Sequence, residues 1–330
     1  MGNYMKILNF TGLILLLLVF SVFADGQEKI ESTTNKQVLL NVTVVNVDGE
    51  PVTDLKAEHF RLYEDKKPLE ISYFSKENPP ISVGFLLDVS PSMRGKIDLS
   101  REGILAFLQK SNSENEYFVA AFTKKIDMLS EFADSKQTIE VVRASPYFSK
   151  SHGDDTSLYD AIFLGIENLS KAKNQKRILL VFGDGEDNNS QKTYKDVEKL
   201  IKEKNIAVYF INFAVLNKHG SSSPLENIVK IFGGSVIYTD YSKVINGKIR
   251  YRSEFYSPHD YFLLSFSEFA DKFQKQYVIG FKPSLDNKEN KWRDIEIKLE
   301  ISKEIKKKIG LAKVQHREGY YPFSEIVIDN

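Results

Sequence analysis

From Ile81 onward the chain repeats one grammar: a short, nearly unbroken apolar run, then a longer stretch whose apolar residues recur every three to four positions. ISVGFLL leads into LSREGILAFLQK, where Ile104, Leu105 and Leu108 fall on one helical face. YFVAAFT, SLYDAIFLGIENLSKA, RILLVF, YKDVEKLIKEK and IAVYFINF continue the alternation, and LENIVKIF, stopped by Gly233 and Gly234, precedes a last strand in SVIYT. A strand apolar at consecutive positions is covered on both faces, and parallel neighbours need helical crossovers to join them. Residues 81–275 are therefore expected to form an α/β domain with a doubly wound, mostly parallel sheet.

The flanks follow a different period. Val38, Leu40, Val42 and Val44 alternate with other positions up to a turn at DGEP, and FRLYE and PLEISYF are separated by the turn former DKKP. Residues 37–80 thus predict antiparallel strands, ending near NPP. Alternation returns after Lys275 in QYVIGF, in Ile295, Ile297, Leu299 and Ile301, and in LAKVQHREGYY, within residues 276–330. Strand sets this small rarely stand alone. The two flanks are expected to pair into one small β-sandwich into which the α/β domain is inserted. Between them, the aromatic residues Tyr251, Phe255, Tyr256, Tyr261 and Phe262 show no clear period and are expected to pack on the β module, before a helix at LLSFSEFADKF. KEIKKK from Lys303 reads as a solvated strand-turn face.

Composition narrows the chemistry. With 42% hydrophobic residues and 330 positions, the chain can bury a real core. Lys plus Arg and Asp plus Glu are equal at 45 each, so no net field favours nucleic acid or anionic lipid. Cysteine is absent, which removes disulfides, thiolate metal sites and cysteine nucleophiles. Any metal must therefore be held by oxygen or histidine, and the five histidines are scattered, without a close pair, and read as ordinary surface or loop residues. Residues 1–24, MGNYMKILNFTGLILLLLVFSVFA, have the build of a secretory signal peptide cut after Ala24, followed by a polar leader at residues 25–36. The expected destination is secreted, or else periplasmic or cell envelope.

The end of ISVGFLL carries the chemistry. In an open parallel sheet, ligands sit beyond the carboxyl ends of the strands, where strand order switches. Asp88, Ser90 and Ser92 stand there in DVSPSM, Thr156 stands in the loop HGDDTSLYDAI entering a helix, and Asp184 follows RILLVFG. Two carboxylates and three hydroxyls are all hard oxygen donors, suited to a small dication such as Mg²⁺, which takes a near-octahedral oxygen shell at ~2.0–2.1 Å. Two negative charges only neutralise such an ion, so it remains able to accept a carboxylate from outside. Asp and Ser after a strand also serve as helix caps. Three loops in this order favour the cation.

This set resembles the metal-ion-dependent adhesion site (MIDAS) of von Willebrand factor A-type (VWA) domains, Asp-x-Ser-x-Ser with a later Thr and Asp. Residues 37–321 are similar to a bacterial subgroup of VWA-related secreted proteins, through VTVVNVDGEPVTDLKAEHFRLYEDKKPLEISYFSKENPP before the domain and QYVIGFKP and VQHREGYY after it. The resemblance implies a Rossmann-like VWA fold and direct hydroxyl contacts from Ser90, Ser92 and Thr156. It implies that Asp88 and Asp184 bind directly or through water, with one position left for an acidic residue of a protein partner. Mg²⁺ is the implied cation, with Mn²⁺ or Ca²⁺ as alternatives. A shift of the helix before QYVIGF is implied as a route from the metal loops to the β module. Two departures stand out: Asp154-Asp155 replaces small residues, and Gly183 stands where Thr or Ser usually precedes the aspartate. With Glu186 and Asp187 nearby, the extra charge either strengthens cation binding and favours Ca²⁺ or a basic partner, or points into water.

Other chemistries lack their residues. DGEDNNSQKTYK has Asn189 and Lys195 where a calcium loop needs Gly and Glu, DVSPS lacks the second carboxylate of an aspartyl phosphatase, and neither Gly-x-Ser-x-Gly nor a phosphate loop occurs. The expected protein is a non-catalytic adhesion module with a protein partner, no nucleic acid, no small-molecule substrate and no required membrane. A structural envelope protein and, behind it, a metal-dependent hydrolase are the alternatives.

Overall fold

The computed structural model describes residues 37–47, 49–76, 79–148, 152–153, 155–204, 206–213, 236–238, 244–245, 248–251, 254–284 and 291–322. The signal-like segment, the leader, Asp154 and the expected helix LENIVKIF lie outside the described residues. In chain order the elements begin with β1 (Val38–Val45), β2 (Phe60–Glu64), β3 (Lys67–Leu69) and β4 (Tyr73–Ser75). The central part supplies β5 (Ile81–Asp88), α1 (Ile97–Gln109), β6 (Glu116–Phe122), β7 (Ile126–Ala133), α2 (Ser135–Ala144) and α3 (Leu158–Leu169). It continues with β8 (Lys176–Gly183), α4 (Tyr194–Lys204), β9 (Ala207–Asn212) and β10 (Val236–Tyr238). Next come β11 (Val244–Ile245), β12 (Lys248–Tyr251), β13 (Glu254–Tyr256) and α5 (Pro258–Gln274). The C-terminal part holds β14 (Tyr277–Phe281), β15 (Arg293–Leu299), α6 (Lys303–Ile309), β16 (Lys313–Gln315) and β17 (Gly319–Tyr320).

The apolar runs become a six-stranded sheet in the order β10-β9-β8-β5-β6-β7, parallel except for the edge strand β7. Because side chains alternate across a strand, each run feeds two cores. Val83, Phe85 and Leu87 of β5, with Ile178, Leu180 and Phe182 of β8, pack against α1, α2 and α5. Leu86, Leu179 and Val181 point the other way, onto α3 and α4. This is the doubly wound α/β architecture.

The edge pair β7 and α2 is absent from the sequence reading. β7 is exposed at many positions, including Met128, so it carries no continuous apolar signature. The signal for α2 was Asp134, whose side chain accepts from the Gln137 N–H and caps the helix.

The flanks interleave. β1 pairs with β14 and β16, and β4 with β14, in one four-stranded sheet; β2 pairs with β3 and β15, and β15 with β17, in another. Both sheets bury one core that includes Val42, Phe60, Tyr277 and Ile297, with the Phe60 and Tyr277 rings 5.2 Å apart, edge to face. The result is a β-sandwich of N- and C-terminal strands.

Five sequence expectations are corrected. PLEISYF is two strands, because β3 and β4 join different sheets. KEIKKK forms α6, with Ser302 accepting from the Ile305 N–H as its cap. Phe262 packs in the α/β core beside Phe213 and Phe266, rather than on the sandwich, since α5 lies along α1. The aromatic stretch itself forms the three-stranded sheet β11-β12-β13, and the side chains of Tyr251 and Phe255 lie outside the described set. Last, His316 is partly buried and hydrogen-bonded within the sandwich, not an ordinary surface residue.

Candidate metal centre

β5 lies between β8 and β6 at the centre of the sheet, so its carboxyl end is where the chain's two windings part. Asp88 ends β5, and Leu87 pairs with Phe182, which brings the end of β8 level with it. A side chain at Gly183 would place its Cβ 3.2 Å from Asp88 Oδ2, a tight contact, so glycine leaves room beside the Asp88 carboxyl.

Asp88 and Ser90 are each only 1% exposed, whereas Ser92 is exposed on the turn Pro91–Met93, which is anchored by buried Met93. The Ser90 N–H donates to Asp88 Oδ1 at 2.9 Å, and the Ser90 and Ser92 hydroxyls lie 3.1 Å apart. Burial pushes the Asp88 carboxyl up to about 6, and the Asp184 carboxylate adds to the rise; the Ser90 hydrogen bonds and Lys96 oppose it. Asp184 itself is half-exposed and accepts from the Glu186 N–H at 3.2 Å.

Thr156, 4% exposed, reaches the same end of the sheet on the loop before α3. Backbone bonds tie that loop to its neighbours: the His152 N–H donates to the Val89 carbonyl after β5 at 2.6 Å, and the Ser157 N–H to the Thr123 carbonyl in the turn after β6 at 2.8 Å. Asn188 clasps Thr156 from both sides, accepting from its N–H at 2.8 Å and donating to its carbonyl at 3.0 Å. Asn189 adds a bond from its side chain to Ser157 Oγ at 2.8 Å. Sequence reasoning missed both asparagines. Their only signal was the turn-forming NNS after the acids.

The rim acids are less free than their number suggests. Asp155 pairs with Lys124 at 3.3 Å. Asp187 Oδ1 accepts from the Tyr159 N–H at 3.3 Å and from Ser190 Oγ at 2.5 Å, so it caps the first turn of α3. Among the described residues no group of three or more His, Cys, Asp or Glu side chains is set to hold a metal. A cation here would depend on the hydroxyls. The donor set fits a hard dication: two carboxylates close enough to repel each other, one of them deeply buried, beside clustered hydroxyls.

Residues 83–186 match the family described as von Willebrand factor type A domain. No curated protein matches the chain. Among solved structures, the chain is similar to the conserved hypothetical protein BatB from Bacteroides thetaiotaomicron, with 14% identity and a TM-score of 0.42 over 58% of this chain and 98% of that one. It is similar to the PilB minor pilin from Streptococcus sanguinis, with 13% identity and a TM-score of 0.44 over 61% of this chain and 63% of the pilin, just under two thirds of the pilin's length. Proximal thread matrix protein 1 from the mussel byssus gives 14% identity and a TM-score of 0.43, over 62% of this chain and 49% of that one.

Proposed function

The chain carries a von Willebrand factor type A domain over residues 83–186, and from that premise we propose that it is an exported, non-catalytic binding protein that recruits a protein partner through a divalent cation. Asp88, Ser90, Ser92, Thr156 and Asp184 hold the ion in this reading, and an acidic side chain of the partner completes its shell. A fold alone does not fix a function. The observation that carries the proposal is the buried Asp88 carboxylate, held beside Asp184 and the Ser90–Ser92 hydroxyl pair at the crevice of the sheet. When bound, the cation supplies a Lewis-acidic position for an oxygen ligand. The protein's own part is to aim the hydroxyls, through the Pro91–Met93 turn and the Asn188 clasp, and to keep the two carboxylates adjacent.

Mg²⁺ is the expected ion, and Mn²⁺ or Ca²⁺ serve in its place. Compensation of Asp155 by Lys124 and the capping role of Asp187 favour an acidic partner over a basic one, because they reduce the negative field that would repel it. Export rests on the signal-like residues 1–24.

Calorimetric titration with each of the three cations tests the site. One ion is expected to bind, and Asp88→Ala to abolish binding while the circular dichroism spectrum stays that of the folded chain. Heat-silent titrations with all three ions would end the proposal. Capture of partners from envelope extract, with and without EDTA, tests the function: interactions that persist after chelation favour a structural envelope protein, and Asp88-dependent turnover of a phosphoester favours a hydrolase.

A further inference from the structure

At the other end of the six-stranded sheet lies a cleft that the metal loops do not reach. Lys176 opens β8 and Asp184 follows its close, eight residues on, which is roughly 26 Å along an extended chain. The cleft, about 60 Å³, runs along the seam between the α/β domain and the sandwich. Asn41 and Gln175 are exposed at its mouth, while Lys176 and Gln276, 6% and 9% exposed, form its floor with Thr43 and Arg317.

Two observations on that floor ask for a ligand. The Lys176 ammonium has three N–H bonds, and one donates to the Phe273 carbonyl at 2.6 Å, at the C-terminal end of α5. Its pKa is pulled down to about 7 by burial alone, so no carboxylate stands beside it to offset the charge. A buried ammonium of this kind is unfavourable unless something negative reaches it. The second observation is the Gln276 amide. Its Nε2 end donates to Thr43 Oγ1 at 2.8 Å, and its buried Oε1 end has no hydrogen-bond partner. A half-turn of the amide lets Thr43 donate to Oε1 and leaves the NH₂ group free to donate, a second donor on a residue that lines the cleft.

We infer that this cleft binds one compact anion, a carboxylate or a halide, held between Lys176 and Gln276. Its volume corresponds to roughly four water-sized positions, enough for a group the size of acetate and too little for a nucleotide or a sugar acid. Arg317 lines the same cleft and adds positive charge from the sandwich side. An anion there would join β1 and the start of β14 to β8 and α5, so it would fasten the two parts of the molecule at their shared seam.

The full chain is unfolded thermally at constant ionic strength while sodium gluconate, whose anion is too large to enter, is replaced stepwise by chloride, bromide or acetate. A saturable rise in Tm with a halide or with acetate is expected, and the salt that produces it identifies the natural class. Lys176→Met and Gln276→Leu, both close to isosteric with what they replace, are each expected to weaken the apparent affinity about tenfold or more. EDTA is expected to leave the response unchanged, since this site is distinct from the cation site. An unsaturable response equal for every salt, or an unaltered response in folded Lys176→Met, would overturn the inference.

Discussion

His316 ties the segment after β16 to β15 in only one protonation state. Its Nε2 accepts from the Ile297 N–H of β15 at 3.2 Å, and its Nδ1 lies 2.6 Å from the Arg317 carbonyl, to which it donates. A protonated ring has no acceptor left for Ile297. Burial, with some help from the Arg317 charge, holds the His316 pKa below its ordinary 6.5; the Arg317 carbonyl, Glu318 and Glu296 pull the other way. As pH falls through about 6.5, the unfolded chain takes up a proton that the folded chain resists, so stability falls until the folded ring also protonates. Urea midpoints are expected to drop between about pH 7.5 and pH 5.5 in the natural chain, and less in His316→Gln. Parallel curves would show that the histidine is not the cause. Nothing in VQHREGYY distinguishes this residue, because its burial comes from strands distant in sequence. Asp88, Ser90 and Ser92 were legible because a strand end is a local event. Asn188 and Asn189 were not, because their side-chain partners, the Thr156 N–H and the Ser157 hydroxyl, lie some thirty residues away.

Among the elements, β5 shows what an apolar run encodes and what it hides. Its continuous hydrophobicity announces burial on both faces, yet Gly84 within it looks like a weak point. A Cβ there would lie 2.3 Å from Phe118 Cζ and 2.9 Å from Leu179 Cδ1, on the face packed against α3. The absent side chain is the space that the Phe118 ring occupies. Gly84→Ala is expected to cost about 1–3 kcal/mol through overpacking, and Phe118→Leu in the same chain to recover part of it. Equilibrium unfolding of the two variants checks this; additive losses would refute a shared cause. Most strands and helices of the α/β part were readable from period alone, but β7, α2 and α6 were not. β7 is a mixed-exposure edge, and α6 is a seven-residue helix with no buried residue, so neither carries an apolar stripe.

For the whole molecule, the question is which parts need each other. The α/β part closes its two cores with residues from β5 to α5, whereas no sheet of the sandwich is complete from one end of the chain. β1 has β14 on one side and β16 on the other, and β2 has β15. The buried ion pair Arg293–Glu64, at 3.0 Å, also joins the two ends, and Tyr320 donates its hydroxyl to the same carboxylate. Glu64→Ala would strand the Arg293 charge inside the sandwich and is expected to destabilise it by about 3–5 kcal/mol. A stronger version removes the C-terminal strands altogether by truncation after Lys275. β1 then loses the partners on both its edges, and Val38, Leu40, Val42 and Val44 lose the core that covers them. Two or three short strands without a buried face do not hold alone. In hydrogen exchange, the amides of residues 38–45 and 60–64 are expected to lose protection, while those of β5 and β8 keep most of theirs. Protection of β1 surviving the truncation would mean that the N-terminal strands find their stability on the α/β part. Collapse of β5 along with them would mean that the two parts fold as one unit, with the seam at Lys176 as the coupling point.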